Sequence, residues 1–328
     1  MQVAVSGSIA TDYLMSFPGR IRDQLVTEQL ERVSLSFLID GLEIRRGGVA
    51  ANICYGMALL GQQPLLVGAV GRDFFDAYEP HLARTGVDTS GVRVSEHQHS
   101  AMFLCTTDED QNQIASFYPG AMAEAQHIAL DAVAATSGQP DLLVVCPNDP
   151  EAMARHTREA LEAGVPVAAD PSQQLPRLDG EGVAPLVDGA TYLLSNDYEA
   201  ALIEAKTGWD GAEVLRRVGT RVTTHGAKGS VIEQAGEPAL HVPAVTPREE
   251  VALEPTGVGD AFRSGFLAGR ARALDLERSA QLGSLVATLA LETVGTQEYR
   301  LEGAEPLRRF AAAYGDTAAA EVEGLLRG

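Results

Sequence analysis

Four residues concentrate the chemistry of this chain. In Gly257-Val258-Gly259-Asp260 two glycines, one residue apart, stand immediately before a carboxylate. Side-chain-free positions let backbone N–H groups converge. The apolar spacing of Phe262, Phe266 and Leu267 predicts a helix starting here, and its positive end adds to them. That is a cradle for an anion. A carboxylate acting there only as a charge would repel the anion, so the economical role of Asp260 is to take a proton from a nucleophile approaching phosphorus. The alternative is an ordinary glycine loop in which Asp260 is an N-cap, and the stretch alone leaves both readings open. A dinucleotide fingerprint fits poorly, because it needs a small residue where Phe262 stands and a strand where Pro255 stands.

Other polar groups gather at predicted element ends. Ser8, Asp12, Gly48 and Asn52 lie where a strand ends and a helix starts, so they can converge on two neighbouring hydroxyls. Asp12 is the strongest of them, since one carboxylate accepts from both hydroxyls of a ribose-like diol. Its bland counterpart is a surface Asp capping a turn. Phe103 and Phe117, on predicted strands, can stack on a flat base whose edge Ser36 would reach, or can simply pack in a core. Asn196 is followed three residues later by Glu199, a capping-box variant on its face. Thr224, Gly226, Lys228 and Gly229 belong to a glycine-containing connection between two strands, which alone reads as a hairpin turn. There is no G-x-x-x-x-G-K-[ST], H-R-D or D-F-G sequence. His97 and His99 lack a third metal ligand and read as a solvated strand end.

These residues need a scaffold, and the chain supplies one. Gln2 to Gly7 and Leu65 to Val70 read as buried strands, with an apolar helix from the Gly47-Gly48 pair to Gly61 between them. Beyond Ile128, strands at Leu142 to Cys146, Val165 to Ala169 and Tyr192 to Ser195 alternate with helices at Pro150 to Ala163 and Tyr198 to Lys206. Hairpin-like strands follow at Arg221 to His225, Ser230 to Gln234 and Ala239 to Val242, and the remainder after Asp260 is helical. Such alternation predicts a parallel sheet covered by helices on both faces. Two sections break it: Ser34 to Leu38 alternates like a half-exposed strand, and Val92 to Glu96, Ala101 to Thr107 and Asn112 to Tyr118 read as three short strands. Residues 11–46 and 92–120 are therefore assigned to a small β lid, and 1–10, 47–91 and 121–328 to the large domain. A lid has a purpose in phosphoryl transfer, which must exclude water. A small sheet with one exposed face favours a homodimer through paired lids.

The 328 residues can bury a full core. Lys and Arg total 25 against 45 Asp and Glu, a formal charge of −20 that repels nucleic acid and anionic membranes. An anionic ligand must then be held by local dipoles and a divalent cation. Three scattered cysteines, Cys54, Cys105 and Cys146, indicate neither a disulfide framework nor a zinc site. The chain opens directly on a strand and has no apolar run of membrane-spanning length, which points to the cytoplasm.

The Gly257-to-Gly265 stretch resembles the second signature of the ribokinase-like, phosphofructokinase B type kinases. Gly47, Gly48, Asn52, Gly61 and Gly71 resemble the first. Over the whole chain, Ser6 to Asp12, Val33 to Phe37, Ile114 to Met122, Ala169 to Leu175 and Gly295 to Glu298 look most like the bacterial adenosine kinases within that family. The resemblance implies a three-layer α/β/α sandwich with a mostly parallel sheet plus a β lid, and transfer of the γ-phosphate of ATP to the 5′-hydroxyl of adenosine. It implies Asp260 as general base, with Gly257, Val258 and Gly259 in the anion cradle. Ser8, Asp12, Gly48 and Asn52 would hold the ribose, and Ser36, Phe103, Phe117, Gln173 and Arg177 the purine. Thr224, Gly226, Lys228 and Gly229 would hold the nucleotide, with Asn196 and Glu199 ordering hydrated Mg²⁺. K⁺, held by Glu254, Thr256 and Gly295, is implied less firmly, because Glu254 stands where the family usually has Asp. Sugar kinases of the same fold, acting on ribose or fructose, and a non-catalytic nucleotide sensor remain as rival readings.

Overall fold

The computed structural model describes residues 1–24 and 35–326. Along the chain run β1 (Val3–Ser6), β2 (Ala10–Ser16), β3 (Gly41–Gly47), α1 (Val49–Leu59), β4 (Leu65–Val70), α2 (Phe74–Thr85), β5 (Asp88–Val94), β6 (Ala101–Thr107) and β7 (Gln113–Tyr118). Then come α3 (Leu130–Ser137), β8 (Leu142–Val145), α4 (Pro150–Glu162), β9 (Val167–Ala169), α5 (Gly180–Val187), β10 (Tyr192–Asn196), α6 (Asp197–Thr207), α7 (Gly211–Arg217) and β11 (Thr220–Thr224). β12 (Ser230–Glu233), β13 (Leu240–Val242), α8 (Val258–Ala271), α9 (Leu276–Leu291), α10 (Glu305–Tyr314) and α11 (Asp316–Leu326) complete it.

The large sheet has the order β13-β12-β11-β10-β9-β8-β1-β4-β5. β5 through β11 in that order are parallel, and β12 and β13 are antiparallel additions at one edge. Strand side chains alternate between two cores because the strand period is two. Val3 and Val5 join the helices α1, α2, α8 and α9 on one face, while Ala4 joins α3 and α4 on the other. The result is a three-layer α/β/α sandwich. The chain reverses its direction of winding between β1 and β8, the place where a parallel sheet opens a crevice at its carboxyl edge. Among the described residues no helix is long and apolar enough to cross a membrane.

A second sheet, ordered β3-β2-β6-β7, stands apart from the first. Two expectations are corrected here. The strand near Val92 to Glu96 runs instead from Asp88 to Val94 and pairs parallel with β4 at the edge of the large sheet, so Val92 to Val94 are not part of the small one. Residues 35–38 of the expected Ser34 to Leu38 strand have no regular structure, and its Ser34 lies outside the described residues. The strand of that region is β3, whose Glu43, Arg45 and Arg46 tolerate an edge position facing solvent.

The β1-to-α1 junction is held by close packing. A Cβ on Gly48 (φ 92°) would sit 2.6 Å from the Ser8 carbonyl oxygen, so only glycine fits. In place of a cap from Gly48, the Ser8 hydroxyl oxygen accepts the Val49 N–H at 3.0 Å. α1 and α8 approach equally closely: a Cβ on Gly56 would meet the Ser264 hydroxyl at 2.2 Å. That contact brings the start of α8 beside the start of α1.

Candidate active site

A cavity of about 430 Å³ lies between the carboxyl edge of the large sheet and the small sheet. Ser8, Asp12, Gly48, Asn52, Phe103, Phe117, Gln173, Arg177, Thr256, Gly257 and Asp260 all line it. Sequence reasoning did not single out Met122, Pro147, Gln174 or Thr296, which line it too. Thr296, Met122 and Gln174 sit in the family-like stretches Gly295 to Glu298, Ile114 to Met122 and Ala169 to Leu175, so a signal was present; Pro147 carries no polar side chain to notice. Ser36, Val258, Gly259, Asn196, Glu199, Thr224, Gly226, Lys228, Gly229, Glu254 and Gly295 do not line this cavity.

The small sheet presents its contribution as a register. Arg45, Asp12, Phe103 and Phe117 are consecutive cross-strand partners on β3, β2, β6 and β7, so their side chains emerge in one row on one face. Asp12 is half-buried. Burial pushes its carboxyl up to about 6, while the Arg45 guanidinium pulls it down. A Cβ on Gly47 would come within 2.9 Å of the Asp12 carboxylate, so glycine there leaves the carboxylate its room. Phe117 remains 39% exposed and Phe103 half-buried, which leaves their faces free for a planar ligand.

Across the cavity, α8 begins with Gly257 in the left-handed region (φ 76°) as its N-cap. Asp260 lies in the first turn, where the leading N–H groups of a helix have no intrahelical acceptor. Burial raises its carboxyl to about 6, opposed by the Arg263 guanidinium and by a hydrogen bond from Asn52. The Asn52 amide donates to Asp260 Oδ2 at 2.8 Å. Asn52, placed by resemblance against the ribose, thus also holds Asp260.

Beyond this cavity, Asn196 and Thr224 are cross-strand partners at the ends of β10 and β11. The connection after Thr224 is closed by His225 N–H donating to the Gly229 carbonyl at 2.8 Å, with Gly226 and Lys228 exposed. Buried Ser195 and Thr223 hydroxyls at these strand ends have no hydrogen-bond partner among the described residues. Asn196 and Glu199 form the full capping box: Asn196 Oδ1 accepts the Glu199 N–H and Glu199 Oε2 accepts the Asn196 N–H, each at 2.8 Å. Ser172 donates to Glu199 Oε1 at 3.1 Å, and Arg263 lies 3.5 Å from Oε2. With both oxygens engaged, Glu199 fits a magnesium ion only through intervening water. Ser172 has φ 37°, a strained conformation for a residue with a side chain.

Arg263, on α8, is bound to buried Asp170 at 2.7 Å. Burial pushes the Asp170 carboxyl up, and Arg263 opposes it. The proposed potassium ligands fit less well. Glu254 Oε1 accepts both the N–H (3.1 Å) and the hydroxyl (2.6 Å) of Thr256, so the carboxylate is folded onto its own turn. Those bonds hold its carboxyl below the usual carboxylate range. Among the described residues no cluster of three or more His, Cys, Asp or Glu is arranged to hold a metal.

The family model for pfkB family carbohydrate kinase matches residues 20–302. A nucleoside kinase of Methanothermobacter thermautotrophicus is 31% identical over 82% of this chain and 85% of its own. Among solved structures, a nucleoside kinase of Burkholderia thailandensis in complex with inosine is 36% identical, with a TM-score of 0.82 over 95% of this chain and 99% of that one. The nucleoside kinase of Methanocaldococcus jannaschii, an archaeal member of the ribokinase family, superimposes with a TM-score of 0.83 at 25% identity, covering 95% of this chain and 99% of that one.

Proposed function

The chain belongs to the pfkB family of carbohydrate kinases, and on that premise we propose that it is an ATP-dependent nucleoside kinase acting on the 5′-hydroxyl of adenosine. The observation that carries the reading is the row Asp12, Phe103, Phe117 facing Asp260 across one cavity. A diol acceptor stands beside two aromatic faces, with a base at the far end. A bare sugar gives the aromatic pair no flat π-face to stack on. The inosine-bound Burkholderia thailandensis relative supports a purine nucleoside as the acceptor. The Gln173 amide offers a donor and an acceptor together, the pattern that pairs with an adenine edge.

In the proposed reaction Asp260 accepts the 5′-hydroxyl proton as that oxygen bonds to the γ-phosphorus and the bond to ADP breaks. The first-turn N–H groups of α8 meet the charge developing on the transferred group. Mg²⁺, when bound, neutralises the phosphate oxygens. Asn196 and Glu199 would hold its waters, and the Thr224–Gly229 connection would flank the nucleotide. The small sheet would serve as a lid that excludes water. Potassium has no part in these steps, because the Glu254 carboxylate is closed onto Thr256.

The test is ADP release with adenosine, inosine, guanosine, ribose and fructose offered in parallel, in potassium and in sodium buffers. Turnover on adenosine ahead of the others is expected. Preference for another nucleoside would revise the base contacts alone, while turnover only on a sugar would overturn the reading of Phe103 and Phe117. Silence on all five would favour a nucleotide sensor.

A further inference from the structure

Asp260 is the near end of a buried hydrogen-bond chain that no part of the reaction described above uses. Tyr78, on α2, donates its hydroxyl to the carbonyl of Gly47 at 2.6 Å. The Gln297 amide nitrogen donates to that same hydroxyl at 2.7 Å and to Asn52 Oδ1 at 2.9 Å. Asn52 in turn donates to Asp260 at 2.8 Å. Gln297 is 1% exposed, Asn52 5% and Tyr78 6%. Both protons of the Gln297 amide thus have acceptors, which fixes which way that amide points.

Thr296 also approaches Asn52 Oδ1, at 3.0 Å, but its hydroxyl has one proton and lies closer, 2.8 Å, to the carbonyl of Arg46. Gln297 is therefore the donor that Asn52 can rely on. An Asn amide has two orientations. With a donor held against Oδ1, only the orientation that turns Nδ2 toward Asp260 pairs both ends of the Asn52 amide. The reversed one would set two N–H donors against each other and a carbonyl against the carboxylate, leaving buried polar groups unpaired. Asp260 Oδ2 is thereby occupied, leaving Oδ1 for the substrate proton.

We propose that Gln297 and Tyr78 are positioning residues for the catalytic base: they lock the Asn52 amide so that it orients Asp260, and they anchor that lock to the carbonyl at the end of β3. The proposal rests on Asp260 being the base. It also joins the base to the small sheet, because Gly47 is the last residue of β3 and Arg46 the one before it. Where that strand sits decides whether Tyr78 and Thr296 keep their acceptors.

The experiment is a double-mutant cycle read by ADP release with adenosine, using Gln297→Met, Asn52→Ala and the pair, at enzyme concentrations high enough to read residual rates. Gln297→Met keeps the side-chain volume and removes the donor. Alone it should lower kcat about tenfold or more, the scale of losing the Asn52 hydrogen bond to the charged Asp260, with KM for ATP unchanged. In the Asn52→Ala background it should have no further effect on kcat. An equal fall in both backgrounds, or no fall at all, overturns the proposal. Tyr78→Phe, which deletes a single hydroxyl, must show the same pattern at smaller amplitude, and covers the case in which Gln297→Met fails to fold. Asp260→Asn is run beside them: undiminished turnover there would strike down the base assignment itself, whatever Gln297 does.

Discussion

Acidification should switch catalysis off through Asp260, at a pH raised by its burial. Burial lifts its carboxyl to about 6. Such a base is about nine-tenths ionised at pH 7 and about one-tenth at pH 5, so kcat should fall about tenfold over that interval. Asn52 donates to the ionised form, which it therefore stabilises. A hydrogen bond to a charged group is worth about 1.5–3 kcal/mol, so in Asn52→Ala the midpoint should rise by about one to two pH units. The assay is initial-rate ADP release at saturating adenosine and magnesium-ATP, from about pH 5 to about pH 9, for both proteins. The variant separates Asp260 from the nucleotide, whose own ionisation an Asn52 substitution cannot move. An acid limb at the same pH in both proteins would refute the assignment, and so would the absence of a limb.

Phe103→Ala should weaken adenosine binding by about 1 kcal/mol or more, roughly fivefold in KM, with kcat little changed; kinetics on adenosine and on ribose separate a stacking loss from a general one. Asp12→Asn should raise the KM for adenosine yet raise the thermal midpoint at neutral pH. Its folded-state carboxyl is raised to about 6, so the native state holds a proton between about pH 4 and 6 that the unfolded chain has lost. Charging Asp12 therefore costs stability as pH rises through that window, and the amide removes the cost; a lower midpoint would refute this. Arg263→Met leaves buried Asp170 without its partner and should destabilise the fold by about 3–5 kcal/mol in urea unfolding. We further expect a homodimer by sedimentation: Leu42 and Ile44, on the face of the small sheet away from the cavity, are 55% and 61% exposed, and a monomer at all concentrations would refute that.

The large sheet was legible because its strands are short apolar runs ending in polar or glycine positions, a pattern set by burial on both faces. Gly257 to Asp260 was legible because a glycine pair ahead of a helix leaves few physical options. The small sheet was read in part. β6 and β7 flank a turn at Asp108 to Asp110 and announce themselves as a hairpin. β5 shows the same half-exposed alternation, yet pairs with β4; period two reports that one face is wet, not which sheet owns the strand. β3 alternates Leu42, Glu43, Ile44 and Arg45 but was not read as a strand, since it has no turn signal tying it to a partner, and β2 supplies its ladder. Gln297 and Thr296 were seen only as family-like residues. Their contacts to Asn52 span 245 and 244 positions of sequence, and no local pattern encodes a partner so distant.

The cross-strand row from Arg45 to Phe117 has a consequence for how acceptor preference can change over time. Each member is placed by ladder pairing, so a single-residue insertion within β2 or β6 would slip the register and turn every side chain beyond it to the opposite face. Length change inside those strands is therefore closed as a route to new acceptors. What remains open is exchange of one side chain for another at a fixed place in the row, above all at 103 and 117, where each replacement keeps Asp12 and the distant Asp260 undisturbed. A library confined to those two positions would sample acceptor chemistry while leaving phosphoryl transfer intact.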